Sequence, residues 1–139
     1  MSTSEPIPGT TASAEVVVGP HDLASSLPLD QTDVFPAVFA TARMIALMEI
    51  AGSRLLKPFL GPGELSVGVI VDVSHTAPTP LGALVTATAR YTGREGKLFV
   101  FEVSANDPGG EIGKGIHKRA IVNSERLART ASKRIELSG

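Results

Sequence analysis

Cysteine and tryptophan are absent from the 139 residues, which hold one tyrosine and five phenylalanines. Without a thiol there is no disulfide, no Cys-ligated zinc and no cysteine nucleophile. So thin an aromatic complement leaves no platform for stacking bases. An excess of charge is missing too. Lys and Arg number 13 against 14 Asp and Glu, a net charge of −1, which argues against a nucleic-acid or anionic-membrane partner. No apolar run approaches the ~18 residues of a membrane span. The opening MSTSEPIPGTTAS has neither the basic nor the apolar segment of a secretion signal. The expectation is a cytoplasmic protein. Its length suits one domain with a substantial core, placed at residues 13–130 between flexible tails at 1–12 and 131–139.

What is present is organised around Phe35–Phe59, FPAVFATARMIALMEIAGSRLLKPF. Val38, Met44, Ile45, Met48, Gly52, Leu55, Leu56 and Phe59 recur at helical spacing, as on a helix packed against something large. Pro36 suits a first turn, where its missing N–H costs nothing, and Lys57-Pro58 disfavours continuation. Within that frame Thr41, Ile45 and Glu49 form a row that drifts slowly around the axis. A carboxylate beside an apolar face needs a partner or a task.

The flanking segments carry a different signal. Ala14–Gly19 is a short β-branched strand ended by Pro20, and His21–Asp33 is loop or a short turn of helix. After the Gly61-Pro62-Gly63 break the pattern becomes strict alternation. Val67, Val69, Val71, Val73 and His75 share one face, opposite Ser66, Gly68, Ile70, Asp72 and Ser74. Ala83–Thr92 sets Val85, Ala87, Ala89 and Tyr91 on one side; Leu98–Asn106 does the same with Phe99, Phe101, Val103 and Ala105. Turns fall at Gly93–Gly96 and Asp107–Gly110. Ile112–Val122 is the last strand, and a short, loosely held helix follows from Ser124. One strand, one long helix and four strands joined by tight turns predict an α+β fold, an antiparallel sheet packed on a single helix. Such a sheet leaves edges open, so pairing of two protomers is expected.

Three polar side chains stand where the pattern expects core: Thr41, Glu49 and His75. Singly, each has an ordinary structural role. Thr41 would be a helix cap, Glu49 would be solvated or paired with Arg43 or Arg54, and His75 would be a satisfied strand-end imidazole. Together they supply a hydroxyl, a carboxylate and an imidazole, which acyl transfer uses as donor, nucleophile or base, and proton shuttle. Gly113-Lys114-Gly115 looks superficially like a phosphate loop but lies in a strand with no helix after it. Lys118 and Arg119 form a basic pair able to meet a phosphate, although most such pairs are simply solvated. His21 and His117 lack partners at metal-ligand spacing, so no metal site is expected.

VFATARMIALMEIAG, SVGVIVDVSHTAPTP and EVSANDPGGEIGKGIHKRAIV closely resemble the fluoroacetyl-CoA thioesterase group of the hotdog-fold superfamily, a likeness running from Val16 to Leu127. The resemblance implies a homodimer in which a curved antiparallel sheet wraps one long central helix, with acyl-CoA sites at the interface. It puts the group's catalytic threonine, glutamate and histidine on Thr41, Glu49 and His75. The glycine whose N–H polarises the thioester carbonyl falls on Gly68. Of two lid phenylalanines, the second falls on Phe35, while Thr32 stands at the first. The implied reaction is hydrolysis of a small acyl-CoA, fluorinated or otherwise activated, to the acid and CoA. No cofactor is implied, because coenzyme A enters only as part of the substrate. Phe35, Gly68 and Arg119 make the substrate-binding set. Glu49 would attack the carbonyl or activate water, His75 would shuttle protons, and Thr41 would hold the carboxylate or the carbonyl. Helical residues at 41 and 49 lie about 12 Å apart along the axis, so direct contact needs an irregular helix start or a group from a partner protomer. A non-catalytic acyl-CoA-binding module is the alternative.

Overall fold

The computed structural model describes residues 5–138. Strand β1 (Thr11–Val17) is followed by two short turns of 3-10 helix, Pro20–Asp22 and Ala24–Ser26, and then by helix α1 (Thr41–Leu56). Strands β2 (Glu64–His75), β3 (Leu84–Glu95), β4 (Leu98–Asp107) and β5 (Gly110–Asn123) come next, and helix α2 (Ser124–Ser138) closes the chain. All five strands form one antiparallel sheet in the order β1-β3-β4-β5-β2. The sheet curls around α1, which is the hotdog arrangement. No helix among the described residues is long and apolar enough to cross a membrane.

Alternation in the central strands builds the core. Val85, Ala87, Ala89 and Tyr91 of β3 and Phe99, Phe101, Val103 and Ala105 of β4 are all buried, packed with Met44, Leu47, Met48, Ala51, Leu55 and Leu56 of α1. Each large side chain among them contributes about 1.5–3 kcal/mol of burial. Close approach of helix to sheet also depends on a missing side chain. A Cβ at Gly113 would meet Ser74 O at 2.5 Å and Met44 Sδ at 2.6 Å, so glycine there fits both the pairing with β2 and the packing of α1.

Helix α1 starts at Thr41, not at Phe35 as Pro36 suggests. Phe39 and Ala40 are instead drawn into extended pairing: Ala24 N donates to Val38 O at 2.8 Å, Phe39 N to Thr79 O at 2.8 Å, and Ala40 N to Asp22 O at 2.9 Å. Those bonds claim backbone groups that a helix would need, and Ala40, at φ −73° and ψ 141°, becomes an extended N-cap. The far end stops where Pro58 predicts, in a 3-10 turn at Lys57–Phe59.

Regular secondary structure reaches into both terminal stretches. Strand β1 begins at Thr11, three residues before Ala14 and inside the stretch assigned to a tail. Ahead of it, Gly9 N donates to Tyr91 O at 2.8 Å and the Tyr91 hydroxyl donates to Glu5 at 3.0 Å; residues 1–4 lie outside the described set. Helix α2 runs through 131–138, also assigned to a tail, and is capped where Arg126 N donates to Asn123 Oδ1 at 2.8 Å.

Candidate active site

The late start of α1 makes Thr41 its first helical residue, and no side chain caps that end. Thr41 Oγ1 lies 2.8 Å from His75 Nδ1 at the end of β2. A β-bulge turns His75 toward the helix. Strand β2 pairs with β5 as Gly68↔Arg119, then Ile70↔Lys118 and onward to His75↔Gly113, leaving Val69 without a match. An extra residue reverses the alternation beyond it. Val67 and His75, expected on one face, therefore point to opposite faces. Gly68 joins Val71, Val73 and His75 on the helix side.

Thr41 and His75 border a cavity of about 520 Å³ whose walls are largely apolar, including Ala24, Leu27, Phe35, Val38 and Ala77. Phe35 stands half-exposed on its wall. Thr32 does not line it and is turned to Asp30, its Oγ1 donating to Oδ1 at 2.6 Å. Burial holds the His75 pKa below the usual 6.5, with the Ala77 backbone opposing. The imidazole is therefore neutral at pH 7, and Nε2 is buried without a hydrogen-bond partner among the described residues. A neutral imidazole against a hydroxyl is the pairing by which a base draws a proton from, or orients, an attacking or donating oxygen.

Glu49 does not enter that cavity. It lies instead against Gly68, where any Cβ would overlap its Oε2. Glycine is what lets the carboxylate approach β2. Its partner is Arg119, with Nη1 3.5 Å from Oε2, and the two side chains differ sharply in exposure, 41% for Glu49 and 7% for Arg119. The pairing expected with Arg43 or Arg54 does not form; Arg54 donates to Ser13 O at 3.1 Å.

Arg119, given with Lys118 as a basic pair able to meet a phosphate, faces inward. It is buried, and its donors go to Ser66 Oγ at 3.0 Å, Ser66 O at 2.9 Å and His117 Nε2 at 3.0 Å. Burial lowers the guanidinium pKa and Glu49 opposes the shift. Lys118, on the other face of β5, pairs with Glu95 at 2.6 Å. His117, given no task by its spacing in the sequence, belongs to this cluster as well. Alternation from Gly113 through Gly115 places His117 and Arg119 on the inward face, and that was the available signal.

Residues 18–125 match the family described as fluoroacetyl-CoA-specific thioesterase. The chain belongs to this family. The fluoroacetyl-CoA thioesterase of Streptantibioticus cattleyicolor is 43% identical over 115 residues, spanning 81% of this chain and 83% of that protein. A solved structure of a fluoroacetyl-CoA thioesterase matches with a TM-score of 0.88 at 39% identity, covering 93% of this chain and 97% of the other. A thioesterase superfamily member from Thermus thermophilus matches at 0.82 and 32% identity, covering 95% and 98%. Membership makes the chain a thioester hydrolase.

Proposed function

We propose that the chain hydrolyses small acyl-CoA thioesters, fluoroacetyl-CoA and comparably activated acyl groups among them, in a site completed by a second copy of itself. The observation carrying this is the 2.8 Å contact between Thr41 Oγ1 and a neutral His75 at the edge of an apolar cavity. The relatives support the substrate class: one is named for fluoroacetyl-CoA, and a solved variant is a complex with acetyl-CoA. The acyl group occupies the apolar cavity. Glu49 either attacks the thioester carbonyl, giving an anhydride that water then hydrolyses, or takes a proton from water as that water adds. The C–S bond breaks, and His75, neutral at rest, relays a proton that originates in the water to the departing thiolate. The N–H of Gly68 stabilises the oxyanion, a preorganised contact worth roughly 3 kcal/mol, while Thr41 holds the carbonyl. Water is the only co-reactant, no cofactor takes part, and acyl-CoA substrates place the work in the cytoplasm.

A second copy is invoked because Glu49 is remote from the Thr41–His75 cavity within one chain. Glu49 is half-exposed, and a monomer would also leave wet Ile50 on α1 and Leu65, Val69, Ile70 and Val71 along the edge strand β2. In the homodimer, Thr41 and His75 of one protomer meet Glu49 and Gly68 of its partner. Coexpressing Thr41→Val and Glu49→Gln chains tests both parts. Each variant alone should release little thiol from acetyl-CoA or fluoroacetyl-CoA. Mixed dimers carry one intact site of two, so a preparation whose chains pair at random should regain about a quarter of wild-type activity. Full activity of either variant alone, or no recovery in verified mixed dimers, would overturn the reading.

A further inference from the structure

His117 takes no part in the chemistry above, yet it is one of the few buried polar side chains among the described residues. Its surroundings leave its protons no freedom. Nδ1 lies 2.8 Å from Ile70 O; a carbonyl only accepts, so Nδ1 carries the hydrogen. Nε2 lies 3.0 Å from Arg119 Nη1; a guanidinium only donates, so Nε2 presents its lone pair. Both contacts demand the same neutral tautomer.

Arg119 is then fixed at three points. Its Nε and Nη2 bond to the hydroxyl and carbonyl of Ser66, and one Nη1 hydrogen goes to His117. The other Nη1 hydrogen is directed to Glu49 Oε2. Helix α1 makes room with Gly52, where a Cβ would come within 3.2 Å of Arg119 Cδ and 3.5 Å of His117 Cδ2. From this arrangement we infer that His117 is a positioning residue: its Nε2 lone pair orients Arg119, and Arg119 holds the Glu49 carboxylate at its working position beside Gly68. Protonating His117 would set Nε2–H against Nη1–H and a second cation beside the first. Burial first, and then the Arg119 charge, hold its pKa below 6.5, with Ile70 O and Glu49 opposing. The bond to Arg119 is therefore kept through the neutral range.

This rests on Glu49 taking part in hydrolysis, and Glu49→Gln checks that premise separately. Two substitutions divide the imidazole's functions. His117→Gln can put an amide oxygen near the Nε2 position and keep an acceptor for Arg119. His117→Asn keeps a donor near Ile70 O and offers Arg119 nothing. With acetyl-CoA and fluoroacetyl-CoA as probes, His117→Asn should lower kcat by roughly 10- to 100-fold with little change in KM, the cost of an ångström-scale displacement. His117→Gln should recover most of that loss, although both variants melt at similar temperatures. Equal kcat losses in the two that follow their melting temperatures would mark a packing role and overturn the inference. So would wild-type kcat in His117→Asn while Glu49→Gln is slow. If Glu49→Gln hydrolyses at the wild-type rate, the premise itself fails. Imidazole ¹⁵N shifts of the wild-type protein give a readout that needs no variant to fold. A protonated Nδ1 and bare Nε2 are expected, and hydrogen on Nε2 would refute the assignment.

Discussion

Gly68→Ala is a one-carbon perturbation whose consequences can be worked from the site. The added Cβ would overlap Glu49 Oε2, lie 3.3 Å from Glu49 Cδ and come within 3.2 Å of His117 Cε1. His117 is buried and bonded at both nitrogens, so it yields little. Glu49 is the end of a flexible, half-exposed side chain and swings aside instead. Overpacking of this kind costs about 1–3 kcal/mol, toward the lower end because the displaced group can reach water. Loss of the part-exposed Glu49–Arg119 pair adds no more than ~1 kcal/mol. The melting temperature should therefore fall by only about 3–8 °C. Activity should fall much further. A carboxylate displaced by an ångström or more loses on the order of 10²-fold in kcat, although the Gly68 N–H remains. Thiol release from acetyl-CoA and calorimetry on the same preparations measure the two effects. Coupling supplies the decisive control: in a Glu49→Gln background, Gly68→Ala should add almost nothing. Wild-type kcat in the single variant, or fully additive losses in the double variant, would refute the reasoning.

Thr41→Val keeps the shape of an exposed side chain while deleting its hydroxyl, so stability should change by less than ~0.5 kcal/mol. Thiol release should nevertheless fall by on the order of 10²-fold or more if Thr41 orients the reacting carbonyl; an unchanged rate would remove Thr41 from the site. Both His75 and His117 have folded pKa values held below 6.5, chiefly by burial. The unfolded chain then binds protons that these imidazoles refuse. Their stabilisation is complete above pH 6.5 and is lost as pH falls below it. Urea midpoints should be lower at pH 5.5 than at pH 7.5, with a shallower drop in His117→Gln; an identical drop would contradict the assignment for His117. Tyr91 is the sole tyrosine, and burial, reinforced by Glu5, pushes its pKa up to about 12. Ultraviolet titration should show no tyrosinate in the native protein until well above the ordinary value near 10, and Glu5→Gln should bring that onset down. Ordinary titration in the folded wild type would contradict the burial of Tyr91, and an unchanged onset in Glu5→Gln would remove the Glu5 contact.

The parts of this fold that are legible in the chain are those set by local period. Strands β3 and β4 bury the alternate residues that their pattern selects, because two faces and one core leave no other register for Tyr91 or Phe101. The parts that are not legible depend on bonds between distant segments. Nothing in FPAVFA announces that Asp22, Ala24 and Thr79 will hold Val38, Phe39 and Ala40 extended. Nor does a run of valines announce which of them will be left unmatched in the ladder. Both departures from the simple pattern meet at the same place. With unbroken alternation, His75 would face the side of Val67, away from α1. With a helix running from Phe35, Thr41 would sit past its first turn, its hydroxyl on the helix flank rather than at the open end that meets β2. The 2.8 Å contact exists because the strand slips by one residue and the helix begins late. Local pattern thus identifies the reactive side chains as out of place in a core, while the geometry that gives them chemistry comes from two local rules overridden by long-range hydrogen bonds.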